Sequence, residues 1–147
     1  MPNIRLRDAT IDDLNRLVRM NVELLEDEDY DVPLPDQTLA DRMQHFLQSD
    51  QSDFRVFVFQ SDDADDKIAG YAVMDTSKRP CYLRQFYIAR SNRRHGYGRM
   101  AFTQICAELG VDQMDVEVMA WNDAGKQFWR SLGFVHRYEG LRWTSQS

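Results

Sequence analysis

The residues with the clearest chemical potential lie between Gln85 and Leu109. There an apolar run through Phe86, Tyr87 and Ile88 meets Arg90, Arg93, Arg94, His95, Gly96, Tyr97, Gly98 and Arg99. Beyond them Phe102, Ile105, Cys106 and Leu109 fall at i, i+3, i+4 and i+7, the period of one helix face. The pattern predicts a strand, a glycine turn and a helix. Without a Cβ, Gly96 and Gly98 let the backbone bend sharply, turn N–H groups outward and admit a ligand closely. Those amides, with the positive end of the helix, suit an anion. The arginines of this stretch have no acid among them, in a chain of net charge −6, so positive charge is concentrated where a phosphate would dock. No Gly-Lys-Ser/Thr is present to hold a terminal phosphate and Mg²⁺, and the longer G-x-G-x-x-G of a dinucleotide loop is missing too. The plain alternative is a strand-to-helix turn with solvated arginines.

A second chemical feature is acidic. Glu26, Asp27, Glu28, Asp29 and Asp31 surround Tyr30 just before Pro33 and Pro35. An acidic wall beside low-dielectric surroundings attracts cations, while a charge run of this kind also reads as a solvated loop. Cys81 and Cys106 are the only cysteines and read as reduced thiols, one opening a strand and one on an apolar helix face. The three histidines are scattered and offer no metal-ligand spacing, so no metal is expected. A pI near 5.0 argues against a nucleic-acid partner, which calls for an extended basic face. The N-terminus through Arg5 lacks the apolar core of a signal peptide, and no later run reaches bilayer length. A cytoplasmic protein with no membrane partner is expected.

These residues need a scaffold. At 147 residues, with 43% hydrophobic and 29% charged residues, the chain is sized for one domain, 1–147, burying roughly two thirds of its unfolded surface. Ile4 to Arg7 alternates as a first strand. Thr10 reads as an N-cap with Asp13 in the capping-box position, and Ile11, Leu14, Leu17, Val18, Leu24 and Leu25 form the stripe of helix one. Helix two is expected from about Gln37 to Gln48, with Leu39, Met43, Phe46 and Leu47 inward. Phe54 to Gln60 and Lys67 to Met74 are apolar on both faces, hence central strands, joined by the acidic loop Ser61 to Asp66. Cys81 to Ile88 is the fourth strand, and Gly110 closes the third helix. Met114 to Ala120 makes a fifth strand, and Asn122 caps a last helix carrying Gly125, Phe128, Trp129 and Leu132 on one face. Phe134 to His136 and Leu141 to Thr144 form a short final hairpin. The order defines an α/β domain with a mixed sheet.

That order, the Arg93-x-x-Gly96-x-Gly98 loop, and the stretch from Asn122 through Phe128-Trp129 to Leu132-Gly133-Phe134 resemble the GNAT superfamily, the acetyl-coenzyme A dependent N-acetyltransferases. The resemblance covers essentially the whole chain. It implies a mostly antiparallel central sheet splayed between strands four and five, with helices on both faces. It implies acetyl-CoA as acyl donor, its pantetheine pairing with Phe86, Tyr87 and Ile88 as an added strand and its pyrophosphate on the amides of Arg94 to Arg99. Phe86 and Ile88 would flank the thioester. Asn122 would hold the pantetheine or cap its helix, and Lys126 would contact phosphate or sit in solvent. Phe128 and Trp129 would pack near the sulfur, serve as core, or do both. The loop after helix one would wall the acceptor site, placing Glu26, Asp27, Glu28, Asp29 and Tyr30 near a small-molecule or peptide amine. Family members are often homodimers.

The sequence also departs from the family. Tyr82 and Gln85 stand where a strand-four glutamate would act as base, and Trp129 stands where a tyrosine would protonate the departing thiolate. An indole cannot give up a proton for this purpose. An amine of pKa about 10.4 is neutral in only about one molecule in a few thousand at pH 7, so a base or desolvation should help its attack. Glu117, Asp75 or a water held by Tyr82 are the candidate bases, and Tyr87 and Tyr138 the remaining phenols. A backbone N–H near Ile88 would stabilise the oxyanion. The reading is an N-acetyltransferase working through a ternary complex; the alternative is a non-catalytic acyl-CoA binding or sensing domain.

Overall fold

The computed structural model describes residues 3–32, 34–64 and 67–146. Strand β1 (Arg5–Asp8) leads into the expected capping box. Thr10 Oγ1 accepts from the Asp12 N–H at 3.3 Å, and Asp13 Oδ2 accepts from the Thr10 N–H at 2.8 Å. Two 2.9 Å bonds from the Arg7 guanidinium to the same carboxylate tie strand to helix. The box closes one 3₁₀ turn, Ile11–Asp13, before α1 (Leu14–Asp27) begins. Ile11 therefore leaves the apolar stripe and is 47% exposed. Helix α2 (Asp36–Gln48) starts directly after Pro35, whose missing N–H costs nothing at a helix start.

The sheet has the order β1, β2 (Phe54–Gln60), β3 (Ile68–Asp75), β4 (Cys81–Ile88), β5 (Met114–Val116). Successive strands are antiparallel through β4, and β4 pairs parallel with β5. A parallel neighbour requires a crossover, and α3 (Tyr97–Leu109) supplies it. The mixed sheet with helices on both faces agrees with the fold implied by the resemblance. Strands β2 and β3 are buried on both sides because alternate residues feed two cores. Val56, Val58, Tyr71 and Val73 pack with Leu17 and Met20 of α1 and Met43 and Phe46 of α2. Phe57, Phe59, Ala72 and Met74 pack with Tyr97, Ala101 and Ile105 of α3. On α3 the fully inward line is Tyr97, Ala101 and Ile105, with Phe102, Cys106 and Leu109 at its flanks.

Strand β4 breaks its own alternation. Met74 faces Leu83 and Val73 faces Gln85, so Arg84 is an extra residue, a β-bulge. Before the bulge Cys81 and Leu83 point into the α3 core. After it Tyr87 joins the α1 core, Gln85 accepts a 2.7 Å bond from Tyr71 there, and Phe86 and Ile88 take the α3 side.

Three sequence expectations fail. The fifth strand stops at Val116 instead of Ala120. Among the described residues no strand follows α4 (Asp123–Ser131), so the hairpin of Phe134 to His136 and Leu141 to Thr144 does not form. The segment after α4 is held to β5 and the residue following it by side chains, Arg137 to Asp115 at 3.6 Å and Tyr138 to Glu117 at 2.8 Å, in place of a backbone ladder. Third, helix one starts later than its pattern, as described above. Pro33 of the acidic loop and Asp65 and Asp66 of the β2–β3 connection lie outside the described residues. No helix among the described residues is long and apolar enough to cross a membrane.

Candidate functional site

The ladder between β4 and β5 covers only Cys81–Leu83 against Met114–Val116. From the bulge at Arg84 to Ile88, the edge of β4 has no β5 partner, and a wedge opens between the strands. A parallel strand pair that separates in this way exposes backbone donors and acceptors to a ligand of extended shape. At the far end Ile88 O accepts from Arg93 Nε at 2.9 Å. Phe86 lies two residues earlier on the same edge, between the bulge and that contact.

The wedge leads to the glycine turn. Arg94 and Gly96 both adopt the left-handed conformation, with φ of 66° and 79°, and Gly96 is the N-cap of α3 without any side-chain cap. Such a turn aims successive N–H groups together, and the first amides of α3 have no carbonyl within the helix to bond. Asn92, only 5% exposed, adds an Nδ2 donor for which the chain supplies no acceptor among the described residues. Nothing in its spacing marked it in the sequence. Arg94 and His95 are exposed at the rim, while the Tyr97 ring is buried with its hydroxyl 3.2 Å from Ser61 Oγ, leaving only its backbone for a ligand.

The two glycines serve different ends. Gly96 has open space around it, and only its positive φ demands glycine. A Cβ on Gly98 would lie 2.9 Å from Phe128 Cζ and 3.0 Å from Phe128 Cε1. Gly98 therefore lets α4 close onto α3. Arg99 strengthens that contact with a 3.0 Å bond to Ser131 O.

The arginine cluster is not all free for an anion. Arg90 donates to Asp27 Oδ1 at 3.1 Å and to Glu26 Oε1 at 3.2 Å. Arg93 pairs with Asp27 Oδ2 and lies over the Tyr87 ring at 5.3 Å. Tyr87 in turn donates to Glu23 Oε2 at 3.0 Å, and burial, with that bond, pushes its phenol up to about 12. Half of the basic stretch is thus matched by acids at the end of α1. Residues expected on opposite sides of the cleft, Asp27 and Arg93, are partners.

Helix α4 covers the wedge from the other side. Asn122 Oδ1 accepts from the Gly125 N–H at 3.0 Å, which makes it the helix cap. Lys126 Nζ donates to the Ala120 carbonyl at the surface just before α4. Phe86 stacks on Phe128 at 5.8 Å and meets Trp129 edge-on at 5.4 Å, and Trp129 meets Phe134 at 5.3 Å. The aromatic pair packs α4 against Phe86 and so forms one wall of the wedge.

The three residues expected as catalytic candidates, separated widely in sequence, converge. Tyr82 donates to Glu117 Oε1 at 2.6 Å and Tyr138 donates to Glu117 Oε2 at 2.8 Å. The Tyr82 bond, then the Tyr138 bond, hold the Glu117 carboxyl below the usual carboxylate range. Burial, then that same carboxylate, push the Tyr82 phenol well up. The trio lies at the closed end of the wedge, where Tyr82 precedes the bulge by two residues. Asp75, another candidate, is buried and accepts from Ser77 Oγ at 2.6 Å within a turn.

On the acidic side, a cavity of about 290 Å³ lies between the end of α1 and the start of α2, lined by Val22, Leu25, Glu26, Asp29, Tyr30 and Leu39 among others. Its floor is apolar and its rim anionic. Glu28 is half-buried, and burial followed by the charge of Asp27 raises its carboxyl above the usual range. The Trp121 indole N–H bonds Glu28 O at 2.9 Å, joining this region to the turn before α4.

A splayed parallel pair leading to a left-handed glycine turn and a bare helix start defines an acyltransferase class of fold, and the comparisons place the chain within it. The model of the acetyltransferase (GNAT) family matches residues 19–134. The chain belongs to that family. Solved structures agree in fold. A single-site mutant of the BH1408 protein from Bacillus halodurans has a TM-score of 0.77 at 23% identity, covering 96% of this chain and 99% of that one. A predicted acetyltransferase of Clostridium acetobutylicum with acetyl-CoA has a TM-score of 0.71 at 15% identity, covering 97% and 96%. Aminoglycoside N-acetyltransferase AAC(6')-Iy in complex with CoA has a TM-score of 0.72 at 14% identity, covering 100% and 97%. No curated protein matches the chain in sequence.

Proposed function

We propose that the chain transfers acetyl from acetyl-CoA to a primary amine by direct attack in a ternary complex. The observation that carries this reading is the open β4 edge from Arg84 to Ile88 ending at the uncapped start of α3. In this reading the Phe86 and Ile88 region pairs with the pantetheine, and the amides from Arg94 to Arg99, with Asn92 nearby, receive the pyrophosphate. Amine nitrogen bonds the acyl carbon, the C–S bond breaks, and the amine proton leaves to a base. Glu117 is the proton acceptor in this reading, held by Tyr82 and Tyr138; its low pKa keeps it ionised at neutral pH at some loss of driving force. The departing thiolate takes its proton from water, the ammonium product or a phenol.

Purified protein supplied with acetyl-CoA and a panel of amines, among them a polyamine, an aminoglycoside and a peptide N-terminus, should release free thiol above the hydrolysis background. Tight coenzyme A binding with no turnover on any amine would select the second reading, an acyl-CoA sensor. Its support is Trp129, an indole packed between Phe86 and Phe134 where a proton donor would be useful.

Trp129→Phe should keep the pH dependence of turnover, because the indole N–H does not ionise here. It should lose coenzyme affinity or stability through a smaller apolar contact, on the order of 1 kcal/mol. Disappearance of a pKa from the rate profile with coenzyme affinity intact would refute the packing role.

The acids at the end of α1 should divide into two groups. Asp29→Asn removes charge from the cavity rim without touching a partner of Arg90 or Arg93, and is expected to raise KM for a cationic acceptor several-fold while leaving KM for acetyl-CoA nearly unchanged. Asp27→Asn instead releases Arg93 and loosens Arg90, so the coenzyme parameters should move. Identical kinetics in both variants would return these residues to solvated surface.

A further inference from the structure

We propose that Arg84 and Lys78 bind a carboxylate of the acceptor, so that the amine this site takes belongs to an amino acid or a related amino carboxylate. The inference rests on the transferase reading above and narrows its substrate class. Before the β4 bulge Cys81 and Leu83 point into the α3 core, so Tyr82 faces the side of α1 and α2. The extra residue of the bulge puts Arg84 on that side too, its guanidinium 5.4 Å from the centre of the Phe46 ring on α2. From the turn between β3 and β4, Lys78 Nζ lies 5.9 Å from the centre of the Tyr82 ring. The hydroxyl of that ring donates to Glu117 at 2.6 Å. After the two phenol bonds, the charges of Lys78 and Arg84 also lower the Glu117 carboxyl, which puts both cations within electrostatic reach of it.

What sets these two cations apart is that no acid matches them. Arg90 and Arg93 are paired with Asp27, Arg137 with Asp115 and Arg142 with Asp31. Arg84 and Lys78 are exposed and have no ion pair among the described residues, in a chain of net charge −6. An aromatic ring under a cation holds the side chain in place without neutralising it, so little ordering is left for a ligand to impose. A guanidinium offers a planar carboxylate two parallel N–H bonds, and an ammonium beside it adds a point charge. Glu117 supplies the opposite end, since in the reading above its carboxylate receives the acceptor's amine. Tyr82 and Arg84 are two residues apart, about 6.6 Å in a regular strand, on the scale of the two charged ends of a small amino acid. The coenzyme's phosphates are no rival for this pair, because their turn follows Ile88 at the other end of the open edge.

The test compares amines that differ only in charge: γ-aminobutyrate, β-alanine, leucine and glycyl-leucine, each beside the same compound with its carboxylate replaced by a carboxamide. Steady-state acetyl transfer and calorimetric binding to the protein with coenzyme A are measured for the natural chain, Arg84→Gln, Arg84→Lys and Lys78→Gln. The expected result is that at least one free acid is preferred over its carboxamide by about 10–100-fold in kcat/KM. Arg84→Gln should bring that ratio close to one, with the loss falling on KM for the acid. Lys78→Gln should lower the ratio in part, and Arg84→Lys should leave it intermediate, since the charge is kept and the fork is lost. A misfolded variant would lose acid and carboxamide alike, so the ratio reads the contact itself. Equal use of acid and carboxamide by the natural chain, or a ratio unmoved in Arg84→Gln, overturns the proposal. Absence of turnover on every amine would sink the transferase reading alone, because the calorimetry still decides this one. Acid-selective binding that is lost in Arg84→Gln would uphold the carboxylate site, and binding of neither form, or binding blind to the charge, would overturn it.

Discussion

Gly98→Val is expected to weaken coenzyme A binding at least tenfold, about 1.4 kcal/mol, and to lower folding stability by about 1–3 kcal/mol. The single missing Cβ is where Phe128 rests: its ring atoms stand 2.9 and 3.0 Å from the position a Cβ would take, with Ile88 Cγ1 at 3.8 Å. A β-branched side chain there pushes α4 away from α3 and disturbs the stack of Phe86 on Phe128 that walls the wedge. Gly96→Val acts through the backbone, since nothing lies within 4 Å of the added carbon but φ is +79°; left-handed strain of roughly 1–2 kcal/mol is expected. The two mechanisms separate by rescue. Asparagine tolerates the left-handed region, so Gly96→Asn should recover most of the loss. Gly98→Ala should recover only when Phe128→Leu vacates the ring's space. Calorimetric affinity and melting temperature of these variants decide the matter, and an unaltered Gly98→Val protein would defeat the packing assignment.

Glu117→Gln is expected to lower kcat by about 10²–10⁴, the usual contribution of a positioned base. Glutamine still accepts from Tyr82 and Tyr138, so the geometry should persist while the proton acceptor is lost. The pH profile carries the sharper signature. Because both phenols lower the carboxyl pKa, the acid limb of kcat/KM should lie below the ordinary carboxylate value of about 4.3, leaving a flat rate through neutrality. Tyr82→Phe should move that limb upward most, since its bond is the largest contributor, and Tyr138→Phe less. The linkage to stability has the matching sign. A carboxyl whose folded pKa is depressed contributes stability that is present above its unfolded pKa and is lost as pH falls through the folded value. If Glu117→Gln leaves kcat and the acid limb where they were, the trio is a structural clasp between β4 and the C-terminal segment.

The sequence by itself determined the elements and the chemistry of the turn. The capping box at Thr10 and Asp13, the both-faces burial of β2 and β3, the left-handed Gly96 and the Asn122 cap all follow from local rules that act within a few residues. So does the concentration of arginines next to a helix start. What only the tertiary structure decided involves groups far apart in the chain. The bulge at Arg84 re-aims Gln85 through Ile88, yet it is a mismatch of one strand against another and leaves no period in either. Glu117 met Tyr82 and Tyr138 because β5 pairs beside β4 and the last segment passes along it. Asp27 and Arg93, read apart as acceptor wall and phosphate site, neutralise each other across 66 residues of chain. Gly98, which local pattern assigns to a phosphate turn, also makes room for the ring of Phe128, thirty residues away in the chain. The final hairpin shows the same limit from the other direction, since a strand pattern states that one face wants burial but not which surface supplies it. Local preference is set by each residue and its immediate neighbours, whereas pairing, register and burial are set by whichever distant surface the whole chain brings alongside.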